Sequence, residues 1–242
     1  MAEQGSRSSL QTQYDALWDE ALPKVRLGTI ALDAYVLRKE LDPRRGLTLL
    51  GRPEPAVAGR LERLLTEFRA AEPAQYYQPR SDLHLTVLSL FTATAEFEPF
   101  LVHLDRYQKA VAEALDGTPP IDVEFRGLTL TPSAVLAQGF SEGGALEDLR
   151  ERLRSALAAT GLAGGLDQRY RLTTAHMTLV RFATPLRNAP RFVELLQRIR
   201  DAEIGTSRFA RFELVLGDCY QSRENEQPIA AYSMRQASVA TH

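Results

Sequence analysis

The chain has 242 residues, of which 44% are hydrophobic and 25% are charged, and its formal net charge is −2. These proportions are typical of a globular protein and disfavour intrinsic disorder, collagen-like repeats and a disulfide-rich scaffold. Because the charge is nearly balanced, the chain is not expected to coat a long nucleic-acid duplex, which requires many phosphate neutralisations.

The sequence also predicts where the protein resides. No apolar stretch approaches the roughly 20 residues that a membrane-spanning helix requires. The first seven residues include an acidic one and lack the apolar core of a secretory signal. The single cysteine, Cys219, cannot form an internal disulfide and is typical of a reducing compartment. We therefore expect a cytoplasmic monomer that does not bind membranes.

The spacing of apolar residues predicts alternating strands and helices in the first half of the chain. In order, the predicted elements are a short helix within residues 1–24, an extended stretch over 25–37, a loop rich in Pro, Gly and Arg over 40–55, a helix over 55–71, a strand over 83–91 and a helix over 98–115.

The second half repeats this order. Its predicted elements are strands at 121–125 and 134–137, a helix over 146–157, a strand over 172–182, a helix from about 190, and strands at 207–216 and 229–235. The helices that begin near residues 98 and 190 are 92 residues apart, which indicates an internal duplication.

A His-x-Thr motif occurs once in each half at this same spacing. His84 and Thr86 lie in one predicted strand, and His176 and Thr178 lie 92 residues later in its counterpart. Since side chains alternate faces along a strand, each motif presents an imidazole and a hydroxyl on one face, with apolar residues on the other. The same pattern also fits two strands that expose His and Thr to solvent, provided that the strands do not share a cleft.

Two imidazoles that face one cleft suit displacement at a phosphorus atom. One neutral histidine can accept a proton from the attacking oxygen while a protonated histidine donates one to the leaving oxygen. Threonine hydroxyls beside them can donate to the phosphate oxygens. This chemistry requires no metal or other cofactor, and no cluster with zinc-ligand spacing appears in the sequence.

These motifs resemble those of the two-histidine (2H) phosphoesterase superfamily, which includes the LigT-like 2′,3′-cyclic RNA phosphodiesterases, also called 2′-5′ RNA ligases. The run Ser81–Thr86 resembles the first family motif and His176–Arg181 the second, while Gly28–Asp33 resembles the first family strand. Residue Ala175 differs from the proline that relatives often carry there. The resemblance spans residues 25–235.

The resemblance implies an α+β, bilobal, duplicated fold with two pseudo-symmetric sheet-plus-helix lobes around a central cleft. We expect residues 1–242 to form a single domain, with an extension over 1–24, one lobe over 25–118 and another over 119–236. The resemblance further implies that the catalytic set is His84, Thr86, His176 and Thr178.

Other residues of the sequence are weaker candidates. Tyr76, Tyr77 and Arg80 precede the first motif and could stack on a nucleobase, so they are the predicted substrate-binding residues. Arg181 follows the second motif, but strict alternation places it on the face opposite His176. The remaining histidines, His103 and His242, and the cysteine are expected to have no catalytic role.

The sequence leaves three functions open. The first is a metal-independent phosphodiesterase acting on a 2′,3′-cyclic phosphate or a 2′-5′ linkage in a nucleotide or short oligonucleotide. The second is a hydrolase of a signalling cyclic nucleotide or nucleotide-derived metabolite, with the 40–55 loop and its Arg44, Arg45 and Arg52 setting the substrate. The third is a nucleotide- or RNA-end-binding module with little turnover.

Overall fold

The computed structural model of the protein describes residues 2–234, and side chains from Arg7 onward. Within these residues the helices are α1 (Ala2–Arg26), α2 (Pro55–Ala71), α3 (Glu98–Leu101), α4 (Leu104–Leu115), α5 (Ala145–Ala159) and α6 (Ala189–Arg198). The strands are β1 (Arg45–Gly51), β2 (Tyr76–Tyr77), β3 (Leu85–Thr94), β4 (Ile121–Thr131), β5 (Ala134–Ser141), β6 (Ala175–Arg181), β7 (Glu203–Phe209), β8 (Arg211–Gly217) and β9 (Gln227–Ser233). None of the helices described is long and apolar enough to cross a bilayer.

The strands form two antiparallel sheets, with the orders β3-β1-β8-β9 and β2-β6-β5-β4-β7. This arrangement confirms the predicted α+β fold with two halves built from sheets and helices. A continuous cluster of buried apolar residues includes side chains from both sheets, for example Leu49, Phe125 and Met177. The single domain over residues 1–242 stays a prediction.

The two sheets do not follow the predicted lobe boundary at residues 118 and 119. Strands β8 and β9 come from the second half of the chain but pair in the sheet of β1 and β3, while β2 from the first half pairs with β6. The chain crosses between the sheets at Ala210, so the strand predicted over 207–216 is in fact the two strands β7 and β8. Each sheet therefore contains strands from both halves.

The sequence interpretation of residues 25–55 is wrong. Helix α1 continues to Arg26, and the described residues from 27 to 44 contain no strand, including the run Gly28–Asp33 that resembles the first family strand. The first strand is β1, which lies within the predicted loop. Its side chains from Gly46 onward are buried on both faces, so the alternation that marks a half-buried strand is missing.

The glycines of β1 that looked like loop signals are needed for close packing. A Cβ at Gly46 would lie 2.8 Å from the Ala93 nitrogen, and one at Gly51 would overlap the Phe209 ring. Neither position has room for a larger side chain.

The N-terminal helix is confirmed but is longer than predicted, and it is fixed to the five-stranded sheet. The buried Tyr14 hydroxyl of α1 lies 2.8 Å from the Ala175 carbonyl and 3.0 Å from that of Gly139. The Thr129 hydroxyl donates to the Tyr14 carbonyl at 2.7 Å. The predicted helices that correspond to α2, α4, α5 and α6 are also confirmed.

Candidate active site

The two His-x-Thr motifs lie at the junction of the two sheets. His176 and Thr178 are in β6, Thr86 is in β3, and His84 is the residue directly before β3. Strand β3 is an edge strand, and it lies against β6 of the other sheet. On that side β6 is covered by β2, which pairs only with Val180 and Arg181. The first residues of β6, which include the second motif, are therefore open towards β3.

The predicted alternation within each motif is confirmed. His84, Thr86, His176 and Thr178 are half-buried, whereas the residues between and before them are buried. The motif residues therefore share one side of each strand, and the apolar residues pack into the core behind them.

Both motif strands contain a β-bulge directly after the threonine. Val87 has no partner in the pairing of β3 with β1, and Leu179 has none in the pairing of β6 with β5. These two residues are also 92 residues apart, so the internal duplication extends to the bulge. An extra residue shifts the alternation that follows it.

The second bulge changes the position expected for Arg181. Leu179 and Val180 are both buried, and Arg181 is half-buried like His176. Its guanidinium lies 5.2 Å from the centre of the Tyr220 ring, and Nη1 is 3.8 Å from the Asp33 carboxylate. The assignment of Arg181 to the opposite face is therefore wrong, and the signal for the bulge is the pair of consecutive apolar residues after Thr178.

The ring of His84 is held by the backbone carbonyl of Asp82. Its Nδ1 lies 2.7 Å from the Asp82 carbonyl oxygen. A carbonyl only accepts hydrogen bonds, so Nδ1 donates, and Nε2 carries the lone pair when the ring is neutral. Burial lowers the pKa of His84 to about 4; the hydrogen bond to Asp82 opposes this change, and the charges of Arg52 and Arg181 add to it.

The ring of His176 has a different partner. Its Nδ1 lies 2.9 Å from the hydroxyl oxygen of Thr174, which can donate or accept. Burial, as the larger cause, together with the positive charges of Arg150, His84 and Arg181, lowers the pKa of His176 to about 4. The effect of one imidazole on the other shows that the fold brings the two motifs into electrostatic range.

The predicted substrate-binding residues occupy three different environments. Tyr76 is half-buried and lines a cavity of about 470 Å³ together with Ser81 and Asp82. The prediction for Tyr77 is wrong, because its ring is buried and its hydroxyl lies 2.7 Å from two backbone carbonyl oxygens. Arg80 is exposed, but its guanidinium contacts Glu62 and a backbone carbonyl of α2 rather than the motif residues.

Of the three arginines that the sequence analysis assigned to the 40–55 segment, only Arg52 acts on the site. Arg44 binds the carboxylate of Asp42, and Arg45 donates to the backbone carbonyls of residues 42 and 44. Arg52 forms ion pairs with Glu226 at 2.5 Å and Glu213 at 3.6 Å, and its charge lowers the pKa of His84.

The remaining candidate groups are His103, Cys219 and His242. His103 is half-buried immediately before α4, and burial raises the pKa of the half-buried Cys219 thiol. His242 and the end of the strand predicted over 229–235 lie outside the described residues. Across residues 2–234, no group of three or more His, Cys, Asp and Glu side chains is arranged to hold a metal ion.

Residues 53–198 match the model of the 2′-5′ RNA ligase superfamily, and this segment contains both His-x-Thr motifs. The chain belongs to this superfamily, the LigT-like 2H phosphoesterases. The resemblance seen in the sequence is therefore confirmed. No curated protein sequence matches the chain.

Solved structures share the fold of this superfamily member. The protein TT0787 of Thermus thermophilus has a TM-score of 0.59 and 19% identity, covering 78% of this chain and 98% of that one. A protein described as a phosphoesterase has a TM-score of 0.52 and 17% identity, covering 80% and 99%. Apo LigT of E. coli has a TM-score of 0.50 and 17% identity, also covering 80% and 99%.

Proposed function

We propose that the protein is a phosphodiesterase that opens a 2′,3′-cyclic phosphate or cleaves a 2′-5′ linkage in a nucleotide or short oligonucleotide. The observation that carries the proposal is that His84, directly before β3, and His176 of the contacting strand β6 lie close enough for the charge of one imidazole to act on the other. Each ring uses Nδ1 for a contact within the protein. Each therefore has Nε2 left for proton transfer to or from a substrate.

In the proposed reaction, a water oxygen attacks phosphorus while one imidazole Nε2 accepts the proton that the water loses. The bond between phosphorus and the leaving ribose oxygen breaks, and the other imidazole donates its Nε2 proton to that oxygen. The product is a phosphomonoester with a free ribose hydroxyl. No protein group other than the two imidazoles exchanges a proton in this step.

The contacts of the two imidazole rings indicate which ring is the general acid and which is the general base. The Asp82 carbonyl accepts from Nδ1 of His84 and favours the protonated form of that ring, whereas His176 has no such carbonyl and has Arg150 nearby. We therefore assign the general acid to His84 and the general base to His176. A bound anionic phosphate raises the pKa of both rings by offsetting the positive charges around them.

The charged residues around the histidines suit one phosphate group. Arg52 and Arg181 both act on His84. Arg181 lies 3.8 Å from its carboxylate partner, Asp33, and Arg52 shares both of its carboxylate partners with Arg223. Thr86 and Thr178 are half-buried next to the imidazoles and supply hydroxyl donors for non-bridging oxygens. A local phosphate site of this kind, in a chain of nearly balanced charge, favours a small substrate over a long nucleic acid.

The test is a screen of 2′,3′-cyclic nucleotides, cyclic dinucleotides, and oligonucleotides with 2′-5′ or cyclic-phosphate ends, with products identified by mass. We expect His84→Asn and His176→Asn each to reduce kcat by at least about 10²-fold, the lower range for loss of a general acid or base. His103→Asn is the matched control and should retain full activity. A chelator should not change turnover.

Three results would oppose this proposal. Near-normal turnover in either motif variant would exclude the two-imidazole mechanism. Binding without product formation across the whole screen would instead favour a nucleotide-binding module, and turnover confined to cyclic dinucleotides would favour a signalling nucleotide as substrate.

A further inference from the structure

A buried arginine joins the two motif strands. Arg150 of α5 is 1% exposed, although it carries a charge. Its Nε donates to the Val87 carbonyl at 2.8 Å, and its Nη2 lies 3.0 Å from the carbonyls of both Thr86 and Thr174. Two of these acceptors belong to β3, and the third lies one residue before β6. A single guanidinium therefore binds the backbone on both sides of the site.

The bulge explains why an arginine is needed at this position. β3 is an edge strand, and Val87 has no partner on β1, so its carbonyl requires a donor from outside the sheet. A buried carbonyl without a donor is costly. The guanidinium is a rigid, planar fork with five N–H groups, so binding carbonyls of both strands sets the distance between them.

The charge of Arg150 is incompletely neutralised. Its Nη1 is 3.8 Å from the Glu147 carboxylate, and this Nη1 atom has no hydrogen-bond partner among the described residues. The charged groups that act on His176 are Arg150, Arg181 and, when it is protonated, His84, and all three are positive. Arg150 thus opposes protonation of His176 from a position behind the motif.

From this geometry we infer that Arg150 is a positioning residue, which sets the separation of the two imidazoles through the strand backbones and keeps His176 in its unprotonated form. The kinetic part of this inference rests on the proposed function. The effect on the His176 protonation state does not, because it is measured on the protein without substrate.

Two substitutions separate the geometric effect from the charge. Arg150→Lys keeps the charge but replaces the fork with one ammonium group, which cannot reproduce the same planar contacts. Arg150→Met removes both the fork and the charge. Arg152 lies on the same helix, is exposed, and donates to Thr118 at 3.0 Å, so Arg152→Lys and Arg152→Met are the matched controls.

Steady-state kinetics on a substrate that the screen identifies test the geometry. We expect Arg150→Lys to reduce kcat about 10–100-fold with KM changed by less than about threefold, since small misplacement of reacting groups costs rates of this order. The pH dependence should be unchanged in this variant. Wild-type kcat in Arg150→Lys would overturn the positioning role.

Titration of the histidine ring signals by NMR, without substrate, tests the charge. We expect the pKa of His176 to rise in Arg150→Met, to stay near the wild-type value in Arg150→Lys, and to be unaffected by the Arg152 variants. An unchanged His176 pKa in folded Arg150→Met would overturn the electrostatic part. If Arg150→Met does not fold, Arg150→Gln provides the neutral variant for the same titration.

The two proposals fail in different ways. If the wild-type protein turns over none of the substrates, the proposed function fails, while the NMR titration still decides whether Arg150 controls His176. If the wild-type protein is active and Arg150→Lys matches it, only the positioning role fails.

Discussion

Protonation of the two motif histidines should destabilise the fold at mildly acidic pH. In the folded protein, burial lowers the pKa of His84 and of His176 from the ordinary value of 6.5 to about 4. The unfolded chain therefore binds more protons than the folded one between these two pH values. Stability contributed by the neutral rings is present above pH 6.5 and is lost as the pH falls towards 4.

The magnitude follows from the size of this difference. Since one pKa unit corresponds to about 1.4 kcal/mol, a change from 6.5 to about 4 sets an upper limit of about 3 kcal/mol for each imidazole. Both side chains retain some contact with solvent, which weakens the effect. Between pH 7 and pH 5 we expect a loss of about 1–2 kcal/mol per ring.

The assay is urea unfolding at pH 7, 6 and 5, with the wild type compared with the double variant His84→Asn, His176→Asn. The carboxylates that titrate in this range are common to both proteins, so the difference between their pH slopes isolates the two imidazoles. Between pH 7 and pH 5, the decrease in the free energy of unfolding should be about 2–4 kcal/mol smaller for the double variant than for the wild type. His103→Asn should behave like the wild type. Parallel pH slopes for the wild type and the double variant would refute the reasoning.

Three further outcomes are expected. Arg181→Met should lower kcat/KM about 10²-fold, which is the typical loss when one donor to a developing oxyanion is removed. Arg211 is exposed, and Arg211→Met should leave kcat/KM unchanged. Equal kcat/KM values for Arg181→Met and the wild type would remove Arg181 from the site. Gly139→Ala should cost about 3 kcal/mol of stability in urea unfolding, because its Cβ would overlap the Ala175 carbonyl oxygen. Tyr14→Phe should cost about 1–3 kcal/mol, since it removes a buried hydroxyl that contacts two carbonyls; a melting temperature equal to wild type would contradict this.

The sequence was sufficient to find the duplication and the two His-x-Thr motifs. Alternation of polar and apolar residues is local, so His84, Thr86, His176 and Thr178 could be placed on the polar side of their strands before the structure was known. Helices such as α2 and α5 were also predictable, because each has one apolar face at helical spacing.

The first strand was missed for a physical reason. β1 lies between β3 and β8 and is buried on both faces, so it shows no alternation, and its glycines are required by close neighbours that are distant in sequence. In the 25–37 segment the error is the opposite one, because its apolar residues predicted a strand where the structure has none. Leu32 and Leu37 suggest an extended strand but are exposed in a segment without regular structure.

By itself, the sequence determined what depends on neighbours along the chain: the repeated order of elements and the two imidazole–hydroxyl pairs. The α+β class followed from the resemblance to the family. Only the tertiary structure decided which strands share a sheet, that a bulge returns Arg181 to the side of His176, and that Arg150 connects the two motif strands. These features depend on backbone groups whose partners are distant in sequence, as in the contact of Arg150 with Thr174, and no local pattern in a single sequence records such partners.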